Sequence, residues 1–334
     1  MRRSSVNGLK VGVVGLGKMG LLHAALLSVL PGVEVAALCE RSGVVARFAR
    51  RAFGGATVVR DVAGLTALGL DAVYVATSIP SHGSVVKAIY EGKVARSVFV
   101  EKTLASSYAE ALCLESRAVG GVTMVGYQRR FGVTFRKALA LLREGVVGEV
   151  ERFRGYAYSS DFAGHVGEGK MASRGGVLRD LGSHALDLAM FFFGGLEVSS
   201  CSVGSSENGV SGSSYHVEAK ASDGVFGEFD VSWSMEGYRL PEIGLVVEGG
   251  EGVLKVNDDW VELHGKGGRS SVWFRQGLDD SVGFLLGGPE FYREDELFVS
   301  CVREGRRPEV DFEAASRVDR LIDLAEHMAK AGPL

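Results

Sequence analysis

The chain has little of what staples a small fold, anchors a membrane protein or grips nucleic acid. Only four cysteines occur in 334 residues, at positions 39, 113, 201 and 301, and none forms a C-x-x-C pair. Such scatter indicates neither a zinc site nor a disulfide framework and points to a reduced, cytoplasmic protein. There is no extended basic run and the formal net charge is −4, so the positive stripe of a nucleic-acid binder is missing. The greasiest stretches are broken by His, Pro, Gly or charge well short of the roughly 18 apolar residues of a membrane span. The opening "MRRSSVNGLK" is charged but runs into a patterned strand, so no leader is expected. What is present is ordinary: 46% hydrophobic and 23% charged residues, enough for a sizeable core, on a length suited to two domains.

Two textures divide the chain. In the first third, β-branched runs at 10–15, 34–40, 71–78, 97–102 and 122–127 alternate with helix-period segments at 18–29, 43–53, 82–92 and 106–118. That rhythm predicts crossover units and a doubly wound, mostly parallel sheet. After about residue 148, strands follow one another across the hairpin signals "SDG", "EGGEG" and "GKGG". Candidate strands at 150–159, 197–205, 214–222, 225–234, 243–249, 252–257, 260–264 and 270–275 predict a large, mostly antiparallel sheet. The segment 290–331 returns to helix period. The expected domains are 1–127, binding a dinucleotide, and 128–334, binding substrate, with the C-terminal helix packing back on the first.

Gly15-x-Gly17-x-x-Gly20 lies directly between a strand and a helix. Glycine permits the tight turn and lets backbone N–H groups approach a pyrophosphate at the helix N-terminus, where the dipole favours anions. Alone the motif is weak evidence, and a structural turn in an unoccupied domain is the plain alternative. With Glu40 about 20 residues beyond, at the end of the next strand, it reads as a dinucleotide fingerprint. The loop residues Gly15, Leu16, Gly17, Lys18, Met19 and Gly20 and the ribose-bonding Glu40 are its members. Glu40 favours NAD, whereas Arg41 beside Ser42 offers a guanidinium and a hydroxyl to a 2′-phosphate, so NADP stays open.

Two more loops lie at carboxyl ends of strands, where open α/β sheets bind ligands. "ATSIPSH" (76–82) carries Thr77, Ser78, Pro80 and His82, the last explained equally by capping. "VEKTLAS" (100–106) carries Glu101 and Lys102. A lysine just past a buried strand is commonly a solvated end, but this one neighbours a nucleotide cleft. Further on, "GGVLRDLGSHALDLAMFFFGG" (175–195) is a greasy helix bearing Asp180, His184 and Asp187 at i, i+4 and i+7. That spacing aligns them on one side, opposite the core set Leu181, Ala185, Leu188, Ala189 and Phe192. They form either a solvated face or a site.

Taken together, the glycine loop, "ATSIPSH", "EKT" at 101–103, "GYQRRF" at 126–131, the helix 175–195 and the closing "FYREDELFVSCVREGRRPEVDFEAA" resemble the glucose–fructose oxidoreductase/inositol dehydrogenase (Gfo/Idh/MocA) family over nearly the whole chain. The family's Glu-Lys-Pro signature falls on Glu101 and Lys102, with Thr103 in place of proline. Its Asp-x-x-x-His pair falls on Asp180 and His184, and Gln128 stands where a cofactor-contacting Asn is frequent. The resemblance implies an α/β Rossmann domain followed by an α+β domain with an open antiparallel sheet. It also implies an NAD(P)-dependent enzyme moving hydride to or from a secondary hydroxyl carbon of a sugar, cyclitol or derivative. His184 would then take the hydroxyl proton, Lys102 would stabilise the alkoxide and share that proton, and Asp180 would bond substrate hydroxyls or orient His184. Asp187 reads as structural. Arg129, a candidate for an anionic substituent, Tyr156 and His165 are expected near substrate, with Lys170 in the same loop as His165. The triple Phe191–Phe193 reads as packing. No metal, nucleic acid or membrane partner is expected, and a homodimer or homotetramer through the open sheet is. A non-catalytic nucleotide sensor of the same fold, a C=C or C=N reductase and a nicotinamide-using hydrolase are the alternatives.

Overall fold

Six runs of aliphatic residues form a parallel sheet in the order β3-β2-β1-β4-β5-β6: β1 Leu9–Val14, β2 Val33–Cys39, β3 Thr57–Val59, β4 Ala72–Val75, β5 Ser97–Glu101 and β6 Thr123–Gly126. In this computed structural model, residues 8–161, 174–204, 212–282 and 288–331 are described. Every residue of β4, β5 and β6 is buried. Helices cover both faces of such a sheet, which is why these strands read as unbroken apolar runs rather than alternating ones. The connecting helices are α1 Lys18–Val29, α2 Gly43–Ala52, α3 His82–Glu91 and α4 Tyr108–Arg117. Strand β3 and the 3₁₀ turn Val62–Leu68 escape the periodicity reading, because three residues are too few to show a period. The winding reverses between β1 and β4, and this switch point opens a crevice at the carboxyl ends of the strands.

The chain divides into two units, Met1–Gly126 with Phe284–Ser316, and Tyr127–Gly283 with Arg317–Leu334. The second domain expected over 128–334 is therefore interrupted. The helix α7 (Pro289–Glu304) counts with the first unit because it packs on α1, and Phe298, at 0% exposure, seals the core against Tyr74 and Phe99.

The second unit is built on an eight-stranded sheet, β14-β13-β12-β11-β7-β10-β9-β8. Its strands are β7 Val150–Tyr158, β8 Leu196–Val203, β9 Ser214–Ala221, β10 Phe226–Ser232, β11 Glu242–Gly249, β12 Gly252–Asn257, β13 Trp260–Gly265 and β14 Ser270–Phe274. All neighbours are antiparallel except β7 and β10. Helices α5 (Val133–Arg143) and α6 (Ser183–Phe193) pack against it, α6 over β7, β11 and β8. Alternation along β7 sends Phe153 and Ala157 into that core and Arg152, Arg154 and Tyr156 to the opposite face. Phe193 stacks on Phe153 with ring centroids 4.3 Å apart, the packing role expected of the phenylalanine triple. The last helix, α8, is Phe312–Ala331. No helix among the described residues is long and apolar enough to cross a membrane.

Candidate functional site

At the switch point of the first unit lies a cavity of about 420 Å³, walled by Gly15, Leu16, Gly17, Glu40, Arg41, Thr77 and Ser78, all expected, and by Arg60, Asp61, Ser81 and Ser84. The glycines are required by space. Gly15 sits at φ 85°, and a Cβ on Gly20 would lie 1.8 Å from the Gly15 carbonyl oxygen, whereas one on Gly17 would meet nothing within 4 Å. Gly20 thus lets the helix start press against the loop while Gly17 leaves the cavity side open. Such a loop has room for a pyrophosphate at the N-terminus of α1.

Glu40 does more than the sequence suggested. Its Oε2 accepts the Leu16 N–H at 2.8 Å and its Oε1 the Ser42 N–H at 2.7 Å, so one carboxylate ties the glycine loop to the end of β2. An ionised carboxylate offers about four acceptor positions, which leaves capacity for two ribose hydroxyls. Arg60 donates to the Arg41 carbonyl and adds a second guanidinium to this wall. It follows β3, the strand the sequence pattern missed, and a loop at the end of a third parallel strand would have been its signal.

The loop after β5 is held from within. Lys102 is half-buried, between buried Glu101 and Thr103, and the Lys102–Thr103 peptide bond is cis. Glu101, expected at the cofactor, points inward. Its Oε1 lies 2.9 Å from His23 Nε2, and its Oε2 accepts the Lys102 backbone N–H at 3.1 Å. His82, also expected at the cofactor, is fully buried. Its Nδ1 lies 2.7 Å from the Thr103 carbonyl oxygen and its Nε2 3.0 Å from that of Thr77. Both inward orientations share one cause, since polar side chains that find buried partners satisfy those first. Pro80 is exposed, and Lys18, exposed, and Met19, half-buried, open α1 without lining the cavity.

In the second unit the predicted helix begins as a π-helical turn, Leu178–Gly182, before α6 continues it. Asp180 belongs to that wider turn, half-buried, with Oδ2 2.5 Å from Arg174 Nη2. Arg174 also bonds Asp161 at 2.7 Å and lies over the Trp233 ring. His184 is 7% exposed, its ring edge-on to Tyr127. Asp187 is buried and takes a two-pronged contact from Arg130, Nε to Oδ2 at 2.8 Å and Nη2 to Oδ1 at 2.6 Å. Burial pushes its carboxyl above the usual range, against the opposing pull of Arg130. The three polar residues aligned by spacing therefore have different neighbours: Asp187 is an internal brace with Arg130, Asp180 pairs with Arg174 in the π-helical turn, and His184 meets Tyr127. Neither Arg174 nor Arg130 was legible as their partner.

Gln128 and Arg129 lie in the 3₁₀ turn Gln128–Phe131, and Arg129 bonds Asp258 through Nε and Nη2. Tyr156, expected to face a substrate, sits on the sheet face opposite α6, its hydroxyl donating to Glu242 at 2.8 Å, because strand alternation turns it away from Ala157. His165 and Lys170 fall outside the described residues. Among the described residues, no group of three or more His, Cys, Asp or Glu side chains is placed to hold a metal ion.

Comparison with known proteins matches these two units to two family models. Residues 9–127 match an oxidoreductase family with an NAD-binding Rossmann fold, and residues 135–269 match the GFO/IDH/MocA C-terminal domain. The D-apiose dehydrogenase of Paraburkholderia graminis is 27% identical over 271 residues, 79% of this chain and 72% of that protein. The myo-inositol 2-dehydrogenase of Thermotoga maritima is 26% identical over 189 residues, covering 56% of this chain and 55% of that enzyme, so the chain spans about half of its length. Among solved structures, levoglucosan dehydrogenase in complex with NADH and levoglucosan shares the fold with a TM-score of 0.85 at 19% identity, over 97% of this chain and 98% of that one.

Proposed function

The chain belongs to the Gfo/Idh/MocA family of NAD(P)-dependent oxidoreductases, and on that premise we propose that it oxidises a secondary hydroxyl of a sugar, cyclitol or sugar derivative, or reduces the corresponding ketone. The observation that carries this reading is the position of Lys102. It leaves the carboxyl end of β5, and β5 pairs with β4, whose own loop supplies Thr77 and Ser78 to the cavity wall. The lysine thus issues from the same sheet edge as the nucleotide site.

The dinucleotide, when bound, supplies or accepts the hydride. Backbone N–H groups of the glycine loop hold its pyrophosphate, and Glu40 accepts its ribose hydroxyls, which favours NAD over NADP. His184 takes the proton of the reacting hydroxyl, Lys102 stabilises the developing alkoxide and shares that proton, and Asp180 bonds a neighbouring hydroxyl or orients His184. Each positioned proton-transfer group contributes about 10²–10⁴-fold. The relatives act, by name, on D-apiose and myo-inositol, which supports polyhydroxylated substrates. Copies of the chain pair through the face of the eight-stranded sheet that carries Arg152, Arg154 and Tyr156.

The test is a panel of pentoses, anhydrosugars, glycosides and cyclitols with each dinucleotide, followed by absorbance of the reduced nicotinamide. Turnover on one class, lowered by about two to four decades in Lys102→Met with NADH affinity retained, is the expected result. Tight NADH binding with no turnover on any class would favour the sensor alternative.

A further inference from the structure

The first unit buries two histidines that the proposed chemistry does not use, and both converge on one loop. His23, in α1, is 0% exposed, with Nε2 2.9 Å from Glu101 and Nδ1 2.8 Å from Asp295 Oδ1 in α7. A neutral imidazole has a single N–H, whereas the imidazolium can donate to both carboxylates at once. Burial works against that charge, but the two carboxylates, Asp295 foremost, hold the imidazole well above its ordinary range. The rings of Tyr74, Phe99 and Phe291 enclose it, and the Tyr74 phenol faces Asp295.

A purely structural account of this triad is weak. Desolvating such charges costs several kcal/mol, and well-packed apolar replacements of buried ion pairs are frequently neutral or stabilising. What the triad adds is a fixed carboxylate. Glu101 is gripped through Oε1 by His23 while its Oε2 accepts the backbone N–H of Lys102. On the far side of the lysine, His82 Nδ1 lies 2.7 Å from the Thr103 carbonyl oxygen and its Nε2 3.0 Å from that of Thr77 in the cavity wall. Burial favours the neutral ring, which has one N–H to donate, and the shorter contact assigns it to Thr103. Thr103 Oγ1 also donates to the Ala105 carbonyl at 3.1 Å. Lys102 is thus a half-buried residue between two neighbours that buried imidazoles pin.

We propose that His23 and His82 are positioning residues for Lys102, clamping Glu101 and Thr103 so that the ammonium group is aimed relative to the nucleotide cavity. The kinetic half of this inference rests on the reading of Lys102 as a proton-handling group. A displacement of about 1 Å at such a group costs on the order of 10²-fold in rate, so the clamp acts on turnover rather than on cofactor affinity.

Amide hydrogen exchange of the peptide spanning 97–106 tests the clamp without any substrate. In His23→Gln, whose single amide cannot span both carboxylates, and in His82→Gln, exchange at 101–105 rises about tenfold or more while α1 and α7 keep their protection. Unchanged exchange at 101–105, or an equal rise through α1 and α7, overturns the proposal, the latter because it marks simple loss of packing. Should His23→Gln fail to fold, Asp295→Asn keeps an acceptor for the Nδ1–H, removes the charge and gives the same pattern in weaker form. In kinetics, His23→Gln lowers kcat about 10–10²-fold with NADH affinity held. It leaves the residual rate of Lys102→Met unchanged, since groups acting through one another are not additive. An equal loss in both backgrounds overturns the proposal. Near-wild-type turnover in Lys102→Met alone would instead sink the catalytic reading of Lys102, an outcome the exchange data separate from failure of the clamp.

Discussion

Replacing Asp187 by asparagine keeps the shape of the side chain and deletes the charge that Arg130 is built around. The Asp187 side chain is 2% exposed and that of Arg130 11%, so solvent screens the pair little. Two unit charges about 4 Å apart attract by about 4 kcal/mol at an effective dielectric constant near 20. Orphaning one partner of a buried pair costs about 3–5 kcal/mol. Burial already raises the carboxyl pKa, so part of the attraction is spent on holding Asp187 ionised, and the lower end of that range, about 3 kcal/mol, is the expectation. For a unit of this size each kcal/mol moves the midpoint by about 2–4 °C, which predicts a Tm lower by about 6–12 °C. Scanning calorimetry measures it, with an NADH titration alongside. Affinity for NADH stays unchanged, because every residue walling the nucleotide cavity belongs to the first unit. Adding Arg130→Met to Asp187→Asn removes the stranded guanidinium and restores part of the loss, the non-additivity expected of a contacting pair. A Tm within about 1 °C of the parent, or turnover collapsing at unchanged Tm, would refute the brace and place Asp187 in the site.

Gly20→Ala forces a methyl to within 1.8 Å of the Gly15 carbonyl, so the loop must move and NADH affinity falls by at least about tenfold, as a fluorescence titration would show. Glu40→Ala weakens NAD binding more than NADP binding, and Arg41→Ala does the reverse. Tighter binding of NADP by the unmodified protein would overturn the NAD preference. His184→Asn lowers turnover by about 10²-fold or more and flattens the acid limb of the alcohol-oxidation profile, whereas an intact acid limb would send the search for the base to Lys102. Because the folded-state pKa of His23 is raised, its stabilisation is complete below the ordinary histidine range and is lost as pH rises through the folded value. Facing it are Glu101, Asp295 and the Tyr74 phenol. Tm therefore declines toward alkaline pH, and Asp295→Asn lowers Tm near neutrality while reducing that slope.

Much of the architecture was legible because it is written in local periodicity. Strands such as β4 and β5 are apolar at nearly every position, since helices cover both faces of their sheet. The strands of the second unit are separated by glycine-bearing turns that accept positive φ, as at Gly224 and Gly268. β3 was too short to carry a period, and its omission hid Arg60 and Asp61 in the cavity wall. The helix at 175–195 was legible as an element, but not the widened turn at Leu178–Gly182, because the extra backbone residue leaves no compositional mark.

The sequence by itself determined that the chain winds a dinucleotide fold, because the glycine spacing and Glu40 act over a few residues of backbone that must pass close to a phosphate. It also led to the expectation that Asp180 and His184 share a helix face, since i and i+4 are neighbours on an α-helix. Only the tertiary structure decided what each polar group is for. Glu101 and His82 looked like cofactor contacts and turned inward. Asp187 read as structural from its place on the helix, but its partner, Arg130, lies 57 residues away in sequence. His23 meets Asp295 across 272 residues. A buried charge takes whichever opposite charge the fold brings within reach, and that choice depends on long-range packing, which spacing along the chain does not encode.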